Sequence, residues 1–486
     1  MRTIRCVLIL ALCSLGWVVS AQEKPTGAWT PESLEQLKQL QKAAMADDYA
    51  YQQVAHLSDN IGPRPVGSAQ AAAAVEYVAA EMRKLGLDVH TEKVSVPRWV
   101  RGEEHAELVS YPGQVPGTNQ KIAVTALAAP EVATSKDGLT AEVLVVNSLD
   151  ELHSLPKEKV AGRIVVFNVK YDDKLAASGF ALEAYGKVSQ YRYAGRLEAA
   201  RMGAAASLVR SAGAGNSRLP HTGGTGYSKD LPAIPAGAIT SEDADLLARL
   251  TKQGPVKMHL VLGSQWLSNV DSYNVIADLK GTEHPEQVVI VSGHLDSWDL
   301  GTGAIDDGAG IAVAMQVPQV IKQLGLKPKR TIRVVAWMAE ETGVNGGLAY
   351  AKQHQAEMTS HFAAIESDLG AGHPTGIQYG NDEKLGDILA PVAEVLEASG
   401  AGVVRPSDDT GADIIPLNVH GVPTFAPIQD AQKYFLWHHT AADTLDKIDP
   451  QELRENGTIM AVLAYALANM NGDLPRKGKP IPEWMK

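Results

Sequence analysis

The segment EQVVIVSGH, residues 286–294, carries apolar side chains at four consecutive positions, 288–291. Side chains of a strand alternate between the two faces of its sheet, so an unbroken apolar run has to be buried on both faces. Few architectures meet that demand; a parallel sheet covered by helices is one. The pattern then repeats. GAGIAVAMQVPQVIKQLG reads as helix, RTIRVVAWMAEE as strand, NGGLAYAKQHQAEM as helix, HFAAIESDLG as strand and VPTFAPIQD as a fourth strand. From residue 268 onward the order is β-α-β. This predicts an α/β fold with a mixed, mainly parallel sheet sandwiched by helices.

The 486 residues exceed what one ordinary core organises. Before the repeating region, Thr30 and Pro31 have the chemistry of an N-cap and first helical residue, and they open a helical stretch. AQAAAAVEYVAAEMRKLGL reads as a second helix and DVHTEKVSVPRW as a strand. Over residues 117–266 the texture changes to short strands, GLTAEVLVVNS, AGRIVVFNV and AAASLVRSAG, with one helix, YRYAGRLEAARMG. This segment resembles the protease-associated domain and implies a β-rich insert. The main α/β domain is then split into residues 22–116 and 267–486.

The N-terminus places Arg2 and Arg5 before CVLILALCSLGWVV and the small-residue triplet Val19-Ser20-Ala21. That is the layout of a signal peptide, expected to span residues 1–21 and to be cleaved after Ala21, leaving a secreted or periplasmic protein with no membrane anchor. The only two cysteines, Cys6 and Cys13, lie within it. Thiol catalysis and cysteine metal sites are thereby excluded for the mature chain, and any zinc must be held by His, Asp and Glu. A net charge of -12 argues against a nucleic-acid partner.

Functional groups of open α/β sheets gather beyond the carboxyl ends of the strands. Here His294 and Asp296 end the first strand, and Asp306 and Asp307 follow in its loop. Glu340 and Glu341 end the second strand, Asp368 ends the third, and His438 and His439 lie after the fourth. Crowded carboxylates repel and desolvate badly unless a cation holds them together. With Asp306, Glu341 and Asp368 as ligands beside His294 and His439, three carboxylates and a hydroxide balance two divalent ions. The set therefore suits a dinuclear centre.

The motifs GHLDSWDLGTGAIDDGAG, WMAEETG, ESDLGA and WHHTAADT, in this order, resemble those of the co-catalytic zinc exopeptidases (aminopeptidase/glutamate carboxypeptidase-like), and within them the carboxypeptidase Q branch. The resemblance implies a zinc exopeptidase fold and two Zn2+ per chain. His294 and Asp368 would bind one ion, Glu341 and His439 the other, and Asp306 both. It implies that Glu340 is the general base and acid, that Asp296 orients His294, and that the Asp306–Asp307 peptide is cis. His438 and Tyr434 are expected to face the substrate, and the acidic loop 407–413 to lie near the site. His354, His361, His373 and His420 lack ligand spacing and read as ordinary histidines.

The expected substrates are dipeptides or short peptides, with the terminus that is cut left open between aminopeptidase, carboxypeptidase and dipeptidase action. The insert would either cap the site or mediate a homodimer. Two other readings share the fold: a single-zinc glutaminyl cyclase-like transferase, and a receptor-like relative without activity. The complete ligand set argues against the second, and the paired aspartates of IDDGAG against the first.

Overall fold

The apolar run at 288–291 becomes a doubly buried strand, His284–His294. Val289 and Val291 enter one core with Ile332, Val334 and Ala336. Val288 and Ile290 enter another with Val335 and Trp337. The alternation of a pleated strand thus feeds two cores on opposite faces of one sheet. The structure is a computed structural model that describes residues 27–380, 382–482 and 485. The expected signal segment, 1–21, lies outside them. Among the described residues no helix is long and apolar enough to cross a membrane.

Strand His284–His294 pairs in parallel with Arg330–Trp337 on one side and His361–Glu366 on the other. Thr424–Gln429 continues the parallel set beside His361–Glu366. These central strands are legible in the sequence, as is the flanking strand Asp88–Val100. The flanks turn antiparallel: Gln265–Leu279 pairs with both Arg330–Trp337 and Asp88–Val100. At the other margin Pro374–Tyr379 runs against Thr424–Gln429 and carries Val403–Pro406 in parallel. The result is a mixed sheet of eight strands.

Helices Pro31–Met45, Ala309–Gln323 and Pro450–Asn469 supply the first core, through residues such as Leu40, Ile311 and Leu463. Asn345–Gln353 and Ile415–Val419 supply the second, through Tyr350 and Leu417. Thr30 caps the first helix by accepting from the Ser33 amide, with Pro31 at its first turn. The helical stretch expected after Thr30 is not continuous: it breaks after Met45 and restarts at Tyr49–Ala55. Asp47 explains the break, because its carboxylate accepts from the Tyr49 amide at 2.7 Å. Such a local bond competes with the helical one.

Between the two parts of this sheet the chain builds a second eight-stranded sheet, also mixed. It has its own core around Leu108, Ile164, Leu208, Met258 and Leu260. Its first strand is Glu104–Ser110 and its last Lys257–Leu262, so it opens ahead of the boundary expected at 117. The cause is the pairing of these two strands with each other, which residue texture does not signal. Its long helix, Ala181–Arg201, starts well before the stretch read as helical.

Candidate metal centre

The acidic and histidine residues expected in the site follow the carboxyl ends of their strands, and the backbone there is shaped to let them meet. Gly293 allows the helix that follows to approach the strand: a Cβ would stand 2.5 Å from the Ile311 amide nitrogen and 2.6 Å from Asp307 Oδ2. Asp307 ties the two elements together, accepting from the His294 amide at 2.9 Å and the Gly310 amide at 3.1 Å. Its role is therefore to anchor the turn that presents Asp306. The Asp306–Asp307 peptide is cis, as expected. Ala339 adopts φ 66°, turning the chain after strand Arg330–Trp337 so that Glu341 reaches His439. His439 itself sits at φ 62°, a region costly for a non-glycine residue and found mostly where function fixes the backbone.

The five expected ligands converge. His294 Nε2 lies 3.1 Å from Asp306 Oδ1 and 3.5 Å from Asp368 Oδ1. His439 Nε2 lies 3.3 Å from Asp306 Oδ2 and 3.1 Å from Glu341 Oε2. Two ligand atoms bound to one tetrahedral zinc stand about 3.3 Å apart. The spacing on either side of Asp306 therefore suits one ion each, with a different oxygen of that carboxylate turned to each side. Tautomers agree. His294 Nδ1 donates to the Asp296 carbonyl at 3.0 Å, and His439 Nδ1 to the Thr222 carbonyl at 3.2 Å. A carbonyl only accepts, so Nδ1 carries the proton of each neutral ring and Nε2 is the atom each ring would offer a metal.

Electrostatics give the same reading. Asp306 Oδ2 and Glu341 Oε1 are buried and find no hydrogen-bond partner among the described residues. Such orphaned oxygens are costly unless something else satisfies them. Burial pushes the Glu341 carboxyl well above its ordinary range, with Asp306 adding to the effect. Burial and the neighbouring His438 push His439 well below. His294 is held well above its usual value: burial opposes this, but its hydrogen bonds to Asp306 and Asp368 prevail. Protons here stand in for positive charge that a cation would bring. The residues fit a metal site.

Asp296 departs from expectation. The atom that holds the His294 ring is its main-chain carbonyl, and its carboxylate Oδ1 stands 3.9 Å from Nδ1. That oxygen accepts instead from the Glu340 amide at 3.1 Å, which fixes the backbone of the expected base. The extended i, i+2 geometry brings the carbonyl nearer than the side chain. His438 stacks on His439 with ring centroids 3.5 Å apart, and its Nε2 is 3.6 Å from Asp306 Oδ2. Asp306, His438 and His439 also lie close enough together to share an ion. His438 is thus nearer the metal cluster than a purely substrate-facing group needs to be.

A pocket of roughly 510 Å³ opens over the cluster, bounded by Glu340, Asp368, Tyr434 and the 407–413 loop at Asp409 and Gly411. Asp413 of that loop is fully buried with neither carboxylate oxygen hydrogen-bonded. Four histidines stay out of the cluster. His361 and His354 bond to Tyr350 and Glu92, His373 to Glu455, and His420 lies in the turn after Ile415–Val419. Sequence reasoning offered capping of the site by the insert as one alternative but missed the residues through which the second sheet's domain contributes. Thr222 holds His439 from both sides, since its amide donates to the His439 carbonyl at 2.9 Å while its carbonyl accepts from the ring. Arg192 and Tyr185, on helix Ala181–Arg201, line the same pocket. No spacing rule in that helix marks them; only the tertiary fold does.

Residues 274–464 match the model of peptidase family M28. Carboxypeptidase Q of Homo sapiens is 38% identical over 433 residues, covering 89% of this chain and 88% of the relative. Aminopeptidase YwaD of Bacillus subtilis is 24% identical over 456 residues, covering 90% and 88%. Among solved structures, a peptidase M28 precursor from Shewanella amazonensis superposes with a TM-score of 0.85 at 36% identity, covering 93% of this chain and 99% of that one. A zinc aminopeptidase from Bacillus subtilis shares the fold, with a TM-score of 0.63 at 21% identity, covering 88% and 98%. A relative 38% identical over nearly nine-tenths of its length and the matching family model together show that this chain belongs to peptidase family M28.

Proposed function

We propose that this chain is an exported dinuclear zinc exopeptidase that hydrolyses dipeptides or short peptides, with Glu340 as general base and acid. The observation that carries the reading is Asp306, whose two carboxylate oxygens face separate His-carboxylate pairs at ligand spacing. His294 and Asp368 would hold one ion, Glu341 and His439 the other, and Asp306 both. Zinc bound there would lower the pKa of the attacking water and polarise the scissile carbonyl.

Glu340 lines the same pocket, and burial pushes its carboxyl well above the ordinary range. His294 opposes that shift, while Asp368, Asp413 and Asp296 add to it. A carboxylate poised this way takes the proton of the attacking water on its side-chain oxygen and delivers it to the leaving amine nitrogen. Asp296 keeps Glu340 in place through its amide. Tyr434 and His438 form the wall against which the substrate rests. The second sheet's domain, which holds most of the segment 117–266 read as a protease-associated insert, closes the pocket from the other side through Arg192 and Ala128. Residues 1–21 would direct export.

Glu340→Gln keeps the shape and removes the base. Its kcat/KM is expected to fall by about 10²–10⁴-fold while elemental analysis still finds two zinc ions per chain. Turnover near that of the unmodified enzyme would sink the base assignment. One zinc per chain, or none, in the unmodified enzyme would sink the dinuclear reading.

A further inference from the structure

The loop between the expected ligands His294 and Asp306 does not stay with its own sheet. Trp298 enters the core of the second sheet, the one around Leu108 and Leu260. Its ring meets Trp99 edge-on with centroids 5.5 Å apart, and His439 edge-on at 5.7 Å. The next residue, Asp299, accepts two parallel hydrogen bonds from Arg101, one from Nε at 2.8 Å and one from Nη2 at 2.7 Å. Arg101 stands where the chain crosses from strand Asp88–Val100 of the first sheet to strand Glu104–Ser110 of the second. Its remaining donors turn to the second domain. Nη1 donates to Glu104 Oε1 at 2.6 Å and to Thr125 Oγ1, and Nη2 to Thr222 Oγ1 at 3.1 Å. The guanidinium lies over the Trp99 ring at 4.8 Å, and its side chain is only 12% exposed. All five of its N–H groups have acceptors.

Thr222 is where this network meets the chemistry. Its hydroxyl accepts from Arg101 and donates to the Ala126 carbonyl at 2.9 Å, which fixes the residue. Its amide and carbonyl in turn hold His439. One guanidinium thus ties the loop between two ligands of the main domain to the residue that aims a third. The other half of the cluster is held from within the main domain: His294 is fixed by the Asp296 carbonyl and by Asp307. A group that orients a ligating imidazole typically changes metal affinity 10–100-fold. Arg101 acts one bond further back, so the lower end of that range applies. Its planar fork sets direction as well as charge, which an ammonium does not reproduce.

We propose that Arg101 is a positioning residue through which the second domain sets the affinity of the ion on the His439 side, while the ion between His294 and Asp368 is left to the main domain. The inference rests on the dinuclear reading of the site. It makes the second domain a working part of the metal centre as well as a wall of the pocket.

The test is zinc binding by the full chain, stripped of metal and titrated in competition with a chromophoric chelator. The unmodified chain should take up two ions. In Arg101→Gln one ion is expected to bind about tenfold more weakly and the other as before, and added zinc should restore turnover. Arg101→Lys keeps the charge without the fork and should fall between. In a His439→Asn background, which lacks the ion on that side, Arg101→Gln should not change the affinity for the remaining ion. Should Arg101→Gln fail to fold, Thr222→Val removes the acceptor at the other end of the same bond and is expected to show the same selective loss. Both ions weakened alike, or neither, overturns the proposal and makes Arg101 a general support of the fold. So does His439→Asn that binds no ion at all, or a further fall in affinity within that background. Fewer than two ions on the unmodified chain would instead bring down the dinuclear reading itself.

Discussion

Strand His361–Glu366 has two ends that are equally buried and chemically opposite. At its start His361 is 1% exposed, and its ring meets Tyr350 Oη at 2.8 Å and the Glu357 carbonyl at 3.0 Å. Nearby, Arg330 donates to Gln287 and to the Met470 and Gly472 carbonyls, and Arg476 donates to the His361 carbonyl. At its far end Glu366 has one carboxylate oxygen without a partner, and Asp306, Glu341 and Asp413 nearby also carry orphaned oxygens. Burial alone does not separate the two ends; the cluster of carboxylates left without partners at the far one does. Carboxylates buried together and left incomplete suit a cation.

The sharpest way to break this contrast is to remove the group shared by both candidate ion sites. Asp306→Asn leaves the volume intact and removes one charge. It is expected to strip zinc from the protein and lower kcat/KM by more than about 100-fold, the upper range for partners that merely stand behind a ligand. Zinc content and turnover, measured together, decide it. Full activity with two bound ions would mean that the orphaned oxygens do not mark the metal site. The matching change at the other end is Arg330→Met, which leaves the Met470 and Gly472 carbonyls without their donor. Urea unfolding should show a loss of about 2–4 kcal/mol, with turnover per folded molecule unchanged. A stable but inactive variant would contradict the division.

The same contrast explains what could be read from the sequence. The central strands and the convergence of the expected ligand residues were legible because most of them carry a local mark: an apolar run too long for a one-sided strand, followed closely by His, Asp or Glu. Strand Gln265–Leu279 carries no such mark. Its first half is largely exposed, and its partner lies at Asp88–Val100, across the whole second domain. The opening of the second sheet at Glu104 was hidden for the same reason, since its pairing with Lys257–Leu262 is invisible to local pattern. Arg192 and Thr222 reach the site only through tertiary packing. The carbonyl of Asp296 was overlooked because sequence reasoning weighs side chains, while the shorter reach here belongs to the main chain.

The smallest expected effect tests the well-partnered end itself. Arg333 donates to Tyr350 Oη, Tyr350 can then donate only to His361 Nε2, and His361 Nδ1 donates to Glu357. This chain of bonds has room for a neutral imidazole and none for a second ring proton. Burial accordingly lowers the His361 pKa from 6.5 to about 4; the Glu357 carbonyl opposes this, and Arg333 and His354 add to it. Between those values the unfolded chain takes up a proton that the folded chain refuses, so stability falls as pH drops from 6.5 toward 4 and levels off below. The contribution lost between pH 6.5 and 5.5 is about 1 kcal/mol. His361→Gln should be less stable at neutral pH, because the bonds are imperfectly replaced, yet should lose less on acidification. Unfolding free energies at pH 6.5 and 5.5 give the difference directly. A gap between the two proteins that stays constant with pH would mean that the His361 pair is not locked in its neutral form, and that the well-partnered end of the strand is less saturated than its bond lengths suggest.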